Sequence, residues 1–145
     1  MNRRTFLAAS SAAVAAAALA PSAHAATYRG AVIGDSDRGG YGHNLHRMWG
    51  LRPDIETVAL SDPNSEGRAK HAAECGAGRT YADYREMLAK EKPDVVAVGP
   101  RWTVDHEDYL AACAETGAHG IVEKPLAADL ATADKIVEAM NAKNL

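Results

Sequence analysis

In "GIVEKPLAAD", residues 120–129, a short apolar run ends in Glu123, Lys124 and Pro125, and a helical pattern follows. A carboxylate, an amine and a helix-breaking ring stand where a strand should hand over to a helix. Strand-to-helix connections of this kind recur, because segments of strand character and segments with helical spacing alternate about five times from Thr27 onward. This alternation predicts an α/β fold, a doubly wound parallel sheet with helices on both faces.

Individual segments support this fold. "PDVVAVGP" (93–100) has four apolar residues in a row, as expected for the buried middle of a parallel sheet. "GYGHNLHRMWGL" (40–51) is predicted to be a helix, because its apolar residues stand at helical spacing. "DLATADKIVEAM" (129–140) should be the last helix. Its predicted apolar face comprises Leu130, Ala133, Val137 and Met140.

Composition limits the classes of function. The chain has 145 residues, enough for one domain with its own core, and its net charge of −3 gives no sign of a nucleic-acid partner. Its six histidines and two cysteines form neither CxxC nor HExxH, so no metal site is predicted. Cys75 and Cys113 fall on helices expected on opposite faces of the sheet, which predicts two free thiols.

The first 25 residues are predicted to be an export signal and not part of the fold. Arg3 and Arg4 precede an Ala-rich apolar stretch, and residues 23–25 have the small-x-small form of a cleavage site. The stretch is too short and too weakly apolar to span a membrane. The paired arginines favour twin-arginine export to the periplasm or beyond, with an ordinary secretion signal as the alternative. The predicted domains are therefore 1–25 and 26–145, and no membrane contact is expected of the mature form.

Ligands of doubly wound sheets bind at the carboxyl ends of the strands, so the residues after each strand are the candidates. A glycine-rich turn follows the first strand and could admit a pyrophosphate against free backbone N–H groups. Its spacing departs from GxGxxG, and a plain strand-to-helix connection is the alternative. Its candidate contacts are Gly34, Ser36, Arg38, Gly39 and Gly42, and Arg38 could equally be solvated.

Two other strand ends carry candidate cofactor contacts. Asp62, after the second strand, can accept both hydroxyls of an adenine ribose and would repel a 2'-phosphate, which favours NAD over NADP. Its alternative role is to cap the next helix. Pro100 and Trp102, after the fourth strand, should pass near the nicotinamide, although Trp102 could instead be a packing residue.

The opening stretch supplies the candidate catalytic residue. Lys124 stands at a strand's carboxyl end, where an amine can hydrogen-bond a substrate hydroxyl and stabilise charge as a proton leaves. Glu123 can position that amine or accept from a ribose, and the bond before Pro125 could be cis. The alternative is a surface turn with a chance charge pair.

Three segments, "AACAETGAHGIVEKPLAADLATADKIV", "YADYREMLAKEKPDVVAV" and "VALSDPNSE", resemble the N-terminal domain of the glucose–fructose oxidoreductase, inositol dehydrogenase and rhizopine-catabolism (Gfo/Idh/MocA) family. The resemblance covers residues 27–145. It implies an NAD(P)-dependent oxidoreductase whose pyrophosphate loop is lined by Gly34, Gly39 and Gly42. It also implies that Asp62 holds the adenine ribose, that Glu123 lies near the nicotinamide ribose and that Lys124 assists proton transfer.

Family members continue into a second α/β domain that supplies the substrate pocket, whereas this sequence ends at Leu145. We therefore expect the N-terminal part of a larger oxidoreductase, a homo-oligomer at full length, whose substrate is a sugar, a polyol or a related carbohydrate. Two alternatives remain open. One is an NAD-dependent glycosidase of the same fold, and the other is a truncated, non-catalytic nucleotide-binding module.

Overall fold

A five-stranded parallel sheet runs through residues 28–145, the part of the chain that this computed structural model describes. The strand order is β3-β2-β1-β4-β5, which confirms the predicted doubly wound fold. The export signal lies outside the described residues and stays a prediction. The strands are Tyr28–Ile33 (β1), Ile55–Ser61 (β2), Arg79–Tyr81 (β3), Val95–Val98 (β4) and His119–Val122 (β5).

The strand order reverses between β1 and β4. From β1 the chain proceeds outward to β2 and β3, then returns to the other side of β1 to add β4 and β5. The two connections leave the carboxyl ends of β1 and β4 in opposite directions, and a crevice forms at that point in folds of this kind. This topology directs attention to the residues after β1, β2, β4 and β5.

Within the described residues, four α-helices connect and flank the strands, and three of them begin with a side-chain cap. The side chains of Asn64, Asp83 and Asp129 accept hydrogen bonds from backbone N–H groups in the first turns of three helices. None of the helices in residues 28–145 is long and apolar enough to cross a membrane. The helices are Ser65–Cys75 (α1), Tyr84–Glu91 (α2), His106–Thr116 (α3) and Leu130–Asn141 (α4).

Separate apolar clusters cover the two faces of the sheet. One joins β1, β2 and β4 to α2, α3 and α4, and it includes Cys113. The other contains Val32, Trp49 and Ala72 from α1, with Cys75 packed against it. The two cysteines are therefore on opposite faces and both thiols are free, as predicted.

The helix predicted over residues 40–51 is wrong. The chain forms two short 3-10 helices there, Gly42–Arg47 and Trp49–Leu51, and His43 and Asn44 have φ values of 47° and 57°. Positive φ is incompatible with a right-handed α-helix. The helical spacing instead reflects the buried Trp49, whose indole N–H donates to the Ala31 carbonyl at 3.0 Å.

The apolar face predicted for the last helix is also displaced. Leu130 is 84% exposed and Val137 is 48% exposed, whereas Ile136 is the buried residue of α4. The helix packs chiefly against α3 at the edge of the sheet. The buried face of this helix is therefore a narrow stripe that includes Ile136.

Glu91 at the end of α2 connects the central strand β1 and the edge strand β3 to the helix. Its carboxylate accepts hydrogen bonds from the Arg79 guanidinium, from the Tyr81 hydroxyl and, at 3.2 Å, from Arg29. These bonds, above all those from Arg79, lower the pKa of Glu91 from 4.5 to about 2. Glu91 is therefore a buried carboxylate that the fold keeps ionised.

The Glu91 network should give the fold an acid-sensitive component. Because the folded pKa is the lower one, its stabilisation is complete above the ordinary pKa of 4.5 and is lost as pH falls through about 2. In urea unfolding series between about pH 5 and pH 2, wild type should lose more stability than Glu91→Gln. Glu86→Gln, on the exposed side of α2, is the matched control. A Glu91→Gln profile parallel to wild type would contradict the assignment.

Candidate functional site

The sheet brings the predicted strand-end residues to one edge. Hydrogen bonds continue the parallel ladder one residue beyond each strand: Gly34 N–H donates to the Ser61 carbonyl, Gly99 to Ile33, and Glu123 to Val98, each at 2.9 Å. The residues that follow β1, β4 and β5 are thereby held side by side. Asp62 lies at the same edge, one residue after β2.

The glycine-rich turn after β1 folds back on itself. Gly40 N–H donates to the Asp35 carbonyl at 2.7 Å, and the Asp35 carboxylate accepts from the N–H groups of Asp37 and Arg38, both at 3.1 Å. Two of the N–H groups expected to face a pyrophosphate therefore bind an internal carboxylate. Burial raises the pKa of Asp35, and the nearby charge of Asp62 adds to this.

Asp62 is fully buried and its carboxylate is bound by the chain itself. One oxygen accepts from the Ser36 hydroxyl at 2.6 Å and the Tyr41 hydroxyl at 2.8 Å, and the other accepts from Asn64 N–H at 2.9 Å. The capping alternative from the sequence is replaced by this cluster, since Asn64 caps α1. Gly67 makes the cluster possible, because a Cβ there would lie 1.9 Å from the Ser36 Oγ.

Tyr41 covers the end of β1, and sequence reasoning did not select it. A Cβ on Gly34 would lie 2.0 Å from the Tyr41 ring, so glycine is required for this contact. Burial and the hydrogen bond to Asp62 raise the pKa of Tyr41 well above its ordinary value. An aromatic residue between Gly40 and Gly42 was the available sequence signal.

Glu123 is buried under the same loop. Its Oε1 lies 2.8 Å from His43 Nδ1, and a Cβ on Gly42 would lie 2.5 Å from its Oε2. Among the described residues, Glu123 forms its ion pair with His43 and not with Lys124, the partner that the sequence suggested. Lys124 is exposed at the carboxyl end of β5, and its peptide bond to Pro125 is cis, as the sequence allowed.

Arg38, Gly39 and Trp102 meet at the end of β4. The Arg38 guanidinium pairs with both oxygens of Asp105 at 2.9 Å and lies 4.7 Å from the centre of the Trp102 ring. The Arg101 side chain donates to the Gly39 carbonyl at 2.9 Å. Arg38 is therefore engaged by the protein, and half-exposed Trp102 serves as its stacking platform.

His106 positions the turn that carries Lys124. It is fully buried at the start of α3, with Nε2 2.8 Å from the Pro100 carbonyl and Nδ1 3.0 Å from the Leu126 carbonyl. The imidazole thus connects the residues after β4 with those after β5. No sequence signal indicated this role, because the Leu126 carbonyl lies 20 residues further along the chain.

The chain is similar to known oxidoreductases. A family model described as "Oxidoreductase family, NAD-binding Rossmann fold" (Gfo/Idh/MocA) matches residues 28–145. The myo-inositol 2-dehydrogenase of Thermotoga maritima is 30% identical over 85 residues, which are 59% of this chain and 25% of that protein. The chain thus spans about a quarter of the length of the curated relatives it matches.

Solved structures agree on the fold. A probable dehydrogenase from Thermotoga maritima superposes with a TM-score of 0.70 at 26% identity, over 81% of this chain and 34% of that one. The myo-inositol 2-dehydrogenase of Lactobacillus plantarum superposes with a TM-score of 0.65 at 22% identity, over 80% and 33% respectively. The second likeness concerns the fold alone.

Asp35→Asn should stabilise the protein at neutral pH. The raised pKa means that the folded state disfavours the ionised carboxylate. The resulting loss of folding stability is complete at pH values well above the ordinary pKa of 3.8 and vanishes at pH values below it. Asparagine keeps an acceptor oxygen for the two N–H groups. Urea midpoints should therefore be higher for the variant at about pH 7, with the difference shrinking towards about pH 4. Asp37→Asn, on the exposed side of the same turn, is the control, and a less stable Asp35→Asn at pH 7 would refute the argument.

Proposed function

Because this chain belongs to the Gfo/Idh/MocA oxidoreductase family with its NAD-binding Rossmann fold, we propose that residues 28–145 bind NAD at the carboxyl ends of β1, β2 and β4. The natural protein would use it to oxidise or reduce a sugar or polyol. The observation that carries the proposal is the buried Asp62 carboxylate at the end of β2, beside the glycine-rich turn that follows β1.

The donors that now occupy Asp62 support a ribose as its ligand. Two hydroxyl groups, those of Ser36 and Tyr41, donate to one oxygen of the carboxylate. The 2'- and 3'-hydroxyls of an adenine ribose offer the same chemistry, and a carboxylate at this strand end is their usual acceptor. A 2'-phosphate would be repelled by the buried negative charge, which favours NAD over NADP.

The residue types fit NAD, while the loop conformation places protein groups where the dinucleotide would lie. Tyr41 covers Gly34, and Gly42 with His43 covers Glu123. Binding therefore requires residues 35–44 to leave the strand ends, with Ser36 and Tyr41 released from Asp62. The apparent affinity for NAD is lowered by the fraction of molecules in which the loop is closed.

When bound, NAD supplies the hydride acceptor or donor for an alcohol or carbonyl carbon. The chain's own contribution is Lys124, whose exposed amine at the end of β5 can hold a proton beside a substrate hydroxyl. His106 holds the turn that carries Lys124, through the Leu126 carbonyl. Opening of the loop would also free the Glu123 carboxylate from His43, which makes it available to a ribose or to Lys124.

The substrate class rests on the relatives. Myo-inositol, a polyol, is the substrate named for the Thermotoga maritima relative, and we propose a sugar or polyol here. Because the chain spans about a quarter of that relative's length, this part of the proposal concerns the whole natural protein. We further propose, from residues 1–25 alone, that twin-arginine export places the activity in the periplasm or outside the cell.

Tyr41→Phe should bind NAD more tightly than wild type. The substitution keeps the ring against Gly34 but removes one competitor for Asp62, and a hydrogen bond to a charged group contributes about 1.5–3 kcal/mol. Because the closed loop is then less stable, a larger fraction of molecules has the loop open and can bind NAD. The Kd for NAD should therefore fall about tenfold in calorimetric titrations. Tyr28→Phe, at the opposite end of β1, is the control.

The same titrations test the site itself. Asp62→Asn should weaken NAD binding and reduce the preference for NAD over NADP. Equal affinities of wild type for the two cofactors would refute the role of Asp62. Absence of NAD binding by folded wild type and folded Tyr41→Phe would refute the proposal and favour a non-catalytic module.

Lys124→Ala should separate turnover from cofactor binding. In the natural gene product assayed with NAD and a panel of polyols, kcat should fall by about 100-fold to 10,000-fold, as expected for loss of a proton-transfer group. The Kd for NAD should change little. Lys70→Ala, exposed on α1, is the control. Parallel losses of kcat and NAD affinity would make Lys124 a structural residue.

A further inference from the structure

A cluster of two imidazoles and one carboxylate lies on the far side of Tyr41 from Asp62. His46 comes from the first 3-10 helix, while His71 and Glu74 stand about one turn apart on α1. Glu74 Oε2 lies 2.9 Å from His46 Nε2 and 3.0 Å from His71 Nδ1. One candidate ligand atom from each residue lies within 4.8 Å of the other two.

We propose that His46, His71 and Glu74 form a binding site for a divalent transition-metal ion, with Zn²⁺ as its best match. Two imidazole nitrogens and one carboxylate oxygen are a ligand set found in zinc sites that keep a fourth position open for water. Imidazole favours zinc and its neighbours in the first transition row, whereas Mg²⁺ and Ca²⁺ prefer oxygen ligands throughout. The site is distinct from the strand-end residues, and none of its three ligands takes part in the proposed NAD binding.

Packing holds the imidazole rings in place. The His71 ring stacks on Tyr41 with centroids 3.9 Å apart, and the His46 ring stands edge-on to both Tyr41 and His71 at 4.9 Å. Side chains fixed by packing lose little freedom when they bind an ion. The cluster is therefore preorganised, with Glu74 Oε2 between two nitrogens.

His46 supplies the most buried of the three candidate ligands. The side chain is buried at 1% exposure, and its Nε2 lies 2.9 Å from Glu74 Oε2. Its Nδ1 has no hydrogen-bond partner among the described residues, and an ion on Nε2 would leave that nitrogen as it is. Nε2 is therefore the His46 atom that can coordinate an ion shared with Glu74, and packing around the ring fixes its position.

An ion can reach the cluster from solvent. The Glu74 side chain is 36% exposed and that of His71 is 18% exposed. A groove of about 510 Å³ adjoins Glu74, and Leu45, Met48 and Cys75 are among its other lining residues. This opening leaves room for an aquated ion to enter and for water to complete its coordination.

Sequence reasoning predicted no metal site because it searched for motifs of contiguous spacing. The sequence signal present was His71-x-x-Glu74, a pair that a helix places on one face. Two such ligands are too common to identify a site. The third, His46, lies 25 residues earlier and joins them only through the tertiary fold.

The test is a metal titration of the full chain, stripped with chelator, by calorimetry with ZnCl₂ and separately with MgCl₂. We expect binding of one Zn²⁺ per chain, no comparable heat with Mg²⁺, and a Tm that rises with Zn²⁺ because the ion links the 42–47 segment to α1. Titration with Co²⁺ should produce visible absorption bands, which report inner-sphere coordination independently of stability.

Ligand variants decide where the ion binds. Glu74→Gln and His71→Ala should each weaken Zn²⁺ binding at least about tenfold, since loss of even an outer partner of a metal ligand costs that much. Glu66→Gln on the same helix and His119→Ala on β5 are the matched controls. Glu74→Gln preserves side-chain shape, so its Co²⁺ spectrum remains informative if His71→Ala fails to fold.

Two results would overturn the proposal. The first is wild type that binds Zn²⁺ no more tightly than folded Glu74→Gln. The second is a loss of affinity in Glu66→Gln or His119→Ala as large as that in Glu74→Gln, which would indicate non-specific binding by surface groups.

Discussion

The buried Asp62 carboxylate is the constraint on which the carboxyl edge of the sheet depends. A charge that is fully removed from water must be compensated by donors, and this chain supplies them from Ser36, Tyr41 and Asn64. Those donors come from the loop after β1 and from the cap of α1. Satisfying one carboxylate therefore closes the loop over the strand ends, and the contacts at Gly34 and Glu123 follow from that closure.

The closed loop and the proposed cofactor use the same chemistry. Hydroxyl groups on Ser36 and Tyr41 bind Asp62 in the way that a ribose diol would. The turn departs from GxGxxG by its length and by Asp35, whose carboxylate takes the N–H groups of Asp37 and Arg38. The proposed cofactor site is thus combined with a loop that competes for it, and the free energy of the proposed NAD binding would have to exceed that of loop closure.

Tyr41 connects the two proposed sites. Its hydroxyl binds Asp62 and its ring stacks on His71, so one side chain contacts both the proposed ribose site and the proposed metal site. Movement of Tyr41 away from Asp62 would also remove the packing that holds the His71 ring. The short 3-10 helix at Gly42–Arg47, in place of an α-helix, allows this arrangement because it turns His43 towards Glu123 and His46 towards Glu74.

Local sequence patterns are enough to predict the alternation of strands and helices, the two free thiols, and the position of Asp62, Glu123 and Lys124 just after their strands. These features depend on spacing within a few residues or on the known handedness of parallel connections. What those residues contact depends on the tertiary structure. Ser36 meets Asp62 across 26 residues, His46 meets Glu74 across 28 and His43 meets Glu123 across 80. The helix predicted at 40–51 is replaced by 3-10 helices for the same reason. Local periodicity indicates only which residues are apolar. The burial of Trp49 and the closure of the loop over Asp62 depend on surfaces that distant parts of the chain contribute.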